Sequence, residues 1–171
     1  LPHEGRVFCG LDLSLRSTGV CFVSSSGVVL DSFAVGYKLK RADPVREKVE
    51  RLAYIGASIV SRLSAIDCRD VVMEGYAFRA RGAQNDLGEL HGVVKYLLWT
   101  KLKIEPVIVP VTTARRKVLG NGGLSKAKVK IILTNEGFVF KTDDEGDAYV
   151  VAEHLRLTSL GITGKLSGRL L

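Results

Sequence analysis

Three short apolar runs open the chain. Residues 7–13 are apolar at nearly every position, the pattern of a strand buried on both faces, and residues 18–24 and 28–35 follow as two more strands. Between the latter two, Ser25-Ser26-Gly27 supplies hairpin-type turn residues, so a three-strand meander is expected. The period then changes. Asp43 suits a helix N-cap and Pro44 the first helical position. Val45, Val49, Leu52, Gly56, Ile59, Leu63 and Ile66 recur at spacings of three and four, tracing one face of a long helix. A short buried strand at 70–75 ends in the loop 76–84. The stretch from Asp86 to Lys101 reads as a second helix, 105–111 as a fifth strand, and 112–119 as a helix stopped by Gly120-Asn121-Gly122-Gly123. Ser125 can cap a further helix to about Asn135, and a last long helix is expected from near Asp143 to about Ser159, with Gly161 just beyond it.

The order is β-β-β-α-β-α-β-α-α, closed by a helix with an acidic start. A meander followed by alternating helices and strands predicts an α/β domain: a mixed five-stranded sheet, of ribonuclease H type, covered by helices on both faces. No linker divides the chain, so residues 1–160 are read as a single domain and 161–171 as a loose C-terminal tail. At 171 residues the chain is long enough for a real core, and 46% hydrophobic content excludes disorder. No apolar run approaches the ~18 residues of a membrane span, and no secretory signal is expected in the opening segment. Cys9, Cys21 and Cys68 lie in apolar surroundings without metal-type spacing, which predicts reduced, buried thiols and an intracellular setting.

The chemistry begins where carboxylates interrupt apolar runs. Asp12 stands in Val-Phe-Cys-Gly-Leu-Asp-Leu, and Glu74 follows Val71-Val72-Met73. A carboxylate withdrawn from water costs several kcal/mol unless it is paired or bound to a metal. The third acidic feature is Asp143-Asp144-Glu145-Gly146-Asp147-Ala148. On a helix Asp144 and Asp147 share a face, as do Asp143 and Asp147, although acids in a first turn also simply favour the helix dipole. Carboxylates from two strands and one helix can surround one or two hard cations such as Mg²⁺, and such a pair serves phosphodiester hydrolysis.

Charge adds a second half to this picture. Lys and Arg number 25 against 18 Asp and Glu, a net +7 with a pI near 9.5, which points to an acidic partner such as nucleic acid. Much of the excess lies in Thr112-Thr113-Ala114-Arg115-Arg116-Lys117, the glycine turn, and Lys126, Lys128 and Lys130. Helix N-termini and glycine loops bring backbone N–H groups to phosphates, and the cations neutralise them. The segment is therefore expected to contact a DNA backbone.

Together these pieces resemble the RuvC-like Holliday-junction resolvases, the phage and prophage versions in particular. Gly10-Leu11-Asp12-Leu13-Ser14-Leu15-Arg16-Ser17-Thr18-Gly19 is similar to the family's first motif, and Met73-Glu74-Gly75-Tyr76-Ala77-Phe78 to its second. Pro110-Val111-Thr112-Thr113, Arg115-Arg116, Gly120-Asn121-Gly122 and Lys126 resemble the third, and Asp144-Glu145-Gly146-Asp147-Ala148 the fourth. Gly88-Glu89-Leu90-His91-Gly92 resembles the start of the family's dimerisation helix.

The resemblance implies a ribonuclease H-like fold and a homodimer formed through the helix from Asp86 to Lys101. It also implies symmetrical nicking of four-way DNA junctions with two Mg²⁺ ions per site, Mn²⁺ substituting. It makes Asp12, Glu74, Asp144 and Asp147 the metal ligands, with Asp143 a substitute for Asp144, and places Lys126 on the scissile phosphate. Ser14, Arg16, Thr113, Arg115, Arg116, Lys117 and Lys128 become DNA contacts, as do Arg79 and Arg81 in the loop where Tyr76 or Phe78 would stack on opened bases. The expected location is the cytoplasm of a bacterial or phage-infected cell, or a DNA-containing organelle if a targeting segment has been removed. One departure is that the third motif's usual lysine pair is Arg115-Arg116, which suits an electrostatic role and not proton transfer. A non-catalytic junction-binding module of the same fold, and a phosphotransferase of the actin or sugar-kinase fold, are the competing readings.

Overall fold

The structure, a computed structural model, describes residues 5–38, 44–75 and 84–163. The cap expected at Asp43, the loop residues Tyr76, Phe78, Arg79 and Arg81, and the tail beyond residue 163 lie outside the described residues. Five strands, β1 (Val7–Asp12), β2 (Thr18–Ser24), β3 (Val29–Val35), β4 (Asp70–Gly75) and β5 (Val107–Pro110), form one mixed sheet in the order β3-β2-β1-β4-β5. The β1–β2 and β2–β3 pairs are antiparallel, and β4 and β5 join parallel to β1 and β4. This is the mixed five-stranded sheet that the pattern predicts.

Period-2 alternation sorts each central strand between two cores. Cys9 and Leu11 of β1, Val20 and Phe22 of β2, and Val71 and Met73 of β4 face a core with Leu52, Ile55, Ile59 and Leu63 of α1 (Pro44–Ile66) and Leu90 and Val94 of α2 (Gln84–Leu97). Phe8, Cys21, Val23 and Val72 face the opposite core. There they meet α3 (Val111–Leu119), α4 (Lys126–Asn135) and α5 (Asp143–Ser159), through Ala114, Val118, Val129, Leu133, Ala148 and Val151. By the same alternation Asp12 and Glu74 stand on the α5 side, in line with Phe8 and Val72.

Several expectations need correction. The buried stripe of α1 is Leu52, Ile55, Ile59 and Leu63, continued toward its start by Glu47 and Arg51, whereas Val45 and Val49 lie beside that stripe and are largely exposed. The second helix begins two residues earlier, at Gln84, and ends at Leu97 in a π-helical turn, Leu98–Leu102. Lys103, at φ 57°, takes the left-handed conformation that stops it. The fifth strand is shorter than its apolar run, because only residues 107–110 pair with β4.

Helix α5 lies unusually close to the sheet. A Cβ at Gly10 would overlap the Ala148 carbonyl oxygen and come 2.5 Å from the Ala152 nitrogen, and one at Gly19 would overlap the Asp144 carbonyl. Two glycines on neighbouring strands thus let the helix backbone rest on the sheet. At its far end, Arg156 pairs with Glu153 at 2.6 and 2.8 Å and donates to the Ser25 carbonyl at 2.9 Å, tying α5 to the β2–β3 turn. All three cysteines are free and buried, and no helix among the described residues is long and apolar enough to cross a membrane.

Candidate nuclease site

The acidic residues singled out from the sequence come together at one end of the sheet. Asp12 ends β1. Glu74 lies one residue beyond Met73, the partner of Leu11 in the parallel β1–β4 pairing, so the two acids stand side by side. Asp144 and Asp147 descend from the first turns of α5, whose start is fixed by Thr142: its hydroxyl accepts the Glu145 N–H at 3.2 Å. Glu145, between them, is buried and accepts a hydrogen bond from Ser32 at 2.8 Å, which locks the helix rotation that aims Asp144 and Asp147 inward.

Two cations serve this cluster. Lys126, the first residue of α4 after the Ser125 cap, places Nζ 3.3 Å from Asp12, 3.0 Å from Asp144 and 3.1 Å from Asp147. Arg115 of α3 donates to Asp147 Oδ1 at 2.8 Å and to the Leu124 carbonyl at 2.7 Å. Asp147 Oδ2, although near Lys126, is buried and makes no hydrogen bond. Among the described residues no three carboxylate, thiol or imidazole groups close around a common point at metal-binding distance. The carboxylates gather instead around the half-exposed Lys126 ammonium.

The electrostatics follow from burial and crowding. Burial pushes the Asp12 carboxyl up to about 6, with Lys126 opposing and Asp147 and Asp144 adding. Glu74 rises to about 7 through burial and the charges of Asp12 and Asp147. Burial alone would lower the Lys126 ammonium, but Asp12, Asp144 and Asp147 outweigh it and hold the group above its ordinary value.

These shifts give stability a sign. The unfolded carboxyls titrate near ~4, so between about 4 and about 7 the folded chain holds more protons than the unfolded one. Stability contributed at this site therefore falls as pH rises through that window. Without divalent ions, Glu74→Gln should melt progressively higher than the wild type as pH is raised from about 5 to about 7. A constant difference across a pH series of thermal melts would refute this.

The other expected residues divide. Asp143 turns away to Lys130 at 3.0 Å, so Asp144 and not Asp143 reaches the cluster. Arg16, Thr113, Arg116 and Lys128 are exposed, while Ser14 and Lys117 are half-buried. The Ser14 hydroxyl accepts the backbone N–H groups of Arg16 and Ser17, shaping the loop after β1. Arg115, expected on the DNA backbone, has its guanidinium mostly buried and engaged with Asp147 and the Leu124 carbonyl. Its neighbours Ala114 and Val118 are buried too, and that apolar spacing is the sequence signal for an inward-facing arginine. His91 is likewise internal, its imidazole lowered to about 4 chiefly by burial.

No protein-family model and no curated protein sequence matches the chain. Solved structures do. A Thermus thermophilus RuvC structure is 17% identical with a TM-score of 0.73, over 91% of this chain and 97% of that one. T. thermophilus RuvC in complex with Holliday junction substrate is 15% identical with the same TM-score of 0.73, over 92% and 97%. The chain therefore has the ribonuclease H-like fold of RuvC.

Proposed function

We propose that the protein is a metal-dependent endodeoxyribonuclease that resolves four-way DNA junctions by paired, symmetrical phosphodiester hydrolysis. One observation carries the reading: Asp12, Glu74, Asp144 and Asp147 meet from two strands and one helix beside Lys126, in the fold of a protein solved on a Holliday junction.

The donor chemistry fits Mg²⁺ or Mn²⁺. All four side chains offer hard oxygens, and Asp147 Oδ2 is a buried acceptor already facing a cation, the Lys126 ammonium at 3.1 Å. Glu74 is held partly out of water next to Asp12, a placement that a carboxylate tolerates better beside a cation. For these groups to close on an ion, the Lys126 ammonium must give way, which its half-exposed side chain on a flexible stem permits. When bound, a pair of such ions would supply the Lewis acidity for hydrolysis.

The chain's own groups divide the remaining work. Asp12, Glu74, Asp144 and Asp147 would hold the ions, and Lys126, at the solvent side of the cluster, would meet the scissile phosphate. Arg16, Arg116 and Lys128 are exposed cations suited to the DNA backbone. Thr113 opens α3 beside them, where helix N-terminal amides also favour phosphate. Two sites acting together on one junction need a homodimer. Tyr96 and Trp99 on the second helix and its π-helical turn, with Ile108 on the same face of the edge strand β5, offer exposed apolar side chains that a second copy would cover. Three buried free thiols suit a reducing cytoplasm.

A gel assay comparing four-way, three-way and linear duplex DNA tests the reading. Paired nicks in the four-way substrate, dependent on Mg²⁺ or Mn²⁺, are expected. Binding to junctions with no cutting in either ion would instead favour the non-catalytic module.

A further inference from the structure

We propose that Arg115 is a positioning residue that fixes Asp147 and the loop ahead of Lys126 in one arrangement, and that it does not touch DNA. The inference rests on the reading of Asp147 as a metal ligand and goes beyond it by giving that ligand its orienting partner.

The geometry is specific. Arg115 reaches from α3 to two other parts of the chain at once. One terminal nitrogen donates to Asp147 Oδ1 on α5 at 2.8 Å, and the other to the Leu124 carbonyl at 2.7 Å. Leu124 is two residues before Lys126, and Ser125 between them caps α4. A single planar guanidinium therefore sets the relative positions of the two elements that carry Asp147 and Lys126. Lysine, a point charge on a flexible stem, lacks the fork needed to hold both acceptors in fixed directions.

Burial separates Arg115 from the basic surface. Its side chain is 11% exposed and that of Asp147 1%, whereas the adjacent Arg116 lies on the exposed side of α3. With Oδ1 held by Arg115, Asp147 turns Oδ2 to the cluster, where it faces the Lys126 ammonium at 3.1 Å. An outer partner that orients a ligand in this way typically matters by ~10–100-fold in metal affinity or activity.

The experiment compares full-length wild type with Arg115→Lys, Arg115→Gln and Arg116→Gln. Junction affinity is measured across a salt series, Mn²⁺ affinity by electron paramagnetic resonance, folding by thermal melts, and cutting as kcat and KM. Arg116→Gln should weaken junction binding and lower the salt slope by about one, with Mn²⁺ affinity unchanged. Arg115→Gln should leave the salt slope at the wild-type value, weaken Mn²⁺ binding roughly tenfold and lower kcat with little change in KM. Arg115→Lys keeps a cation next to Asp147 and should fall between wild type and Arg115→Gln, which carries the comparison if the Gln variant does not fold.

A salt slope lowered in the Arg115 variants as in Arg116→Gln would overturn the inference. So would a Mn²⁺ affinity equal to wild type in an Arg115 variant that only melts lower. A wild type that binds Mn²⁺ and cuts, with Arg115 variants indistinguishable from it, overturns the inference alone. A wild type that binds neither Mn²⁺ nor junctions overturns the functional reading and this inference with it.

Discussion

Asp12→Asn should cut junctions ~10²–10³-fold more slowly, the scale of losing one preorganised electrostatic group at a reacting centre, while junction binding stays intact and the fold becomes no less stable. The two halves of this result come from one feature. Asp12 sits at the end of a buried strand with its carboxylate mostly out of water, and its carboxyl is raised to about 6 by burial and by Asp147 and Asp144 against the pull of Lys126. The charged form is thus held against its preference. Asparagine keeps the shape and removes that cost, so the variant should melt at or above the wild-type temperature near neutral pH without divalent ions. The same change takes a hard anionic donor from the centre of the proposed metal site, where a neutral amide oxygen binds a divalent cation less well. Charge that is unfavourable for folding and required for activity is the usual stability–activity conflict of a functional site. Cutting gels, junction binding and thermal melts on one preparation decide the matter. Retained cutting would remove Asp12 from the reaction, and a large drop in melting temperature would mean that its charge serves the fold.

Most of the architecture was legible in the order of short apolar runs. The end of β2 and the start of α5 fall where turn residues and an acidic first turn place them, because those boundaries depend on local chemistry: Ser25-Ser26-Gly27, and Asp143-Asp144-Glu145. The candidate acids were legible for a related reason, since a carboxylate in an apolar strand is anomalous wherever the strand packs. What the sequence misjudged or left open has the opposite character. Val45 and Val49 fit the helical period of α1, but the side covered at its first turns runs through Glu47 and Arg51, which an apolar pattern does not mark. Asp143 and Asp144 are equivalent by spacing and were separated only by where Lys126 and Lys130 stand. Arg115 belongs to a basic run in the sequence, yet the three-dimensional packing of α3 against α5 turns it inward and leaves Arg116 outside.

The other large effect is expected far from any charge. Gly10→Ala should destabilise the protein by about 3 kcal/mol, the upper part of the usual range for overpacking a buried site, and should remove cutting in whatever fraction still folds. The reason lies in how α5 is seated. The added methyl group would overlap the Ala148 carbonyl oxygen and approach the Ala152 nitrogen at 2.5 Å, and neither can move without the helix backbone. A flexible side chain would yield cheaply, but a hydrogen-bonded helix on a packed sheet does not. Any relief must lift α5 from β1, and lifting α5 draws Asp144 and Asp147 away from Asp12 and Glu74. Stability and chemistry should therefore fail together, unlike Asp12→Asn, where they part. Gly92→Ala in α2 is the contrasting exchange for the single chain's stability, because within the chain a Cβ there meets nothing within 4 Å. In a helix interior that exchange should stabilise by roughly 0.5–1 kcal/mol. Urea titrations of the two variants against wild type read both effects. If Gly10→Ala unfolds at the wild-type midpoint and cuts normally, α5 does not rest on β1 as closely as this, and the glycines of the first motif need another explanation.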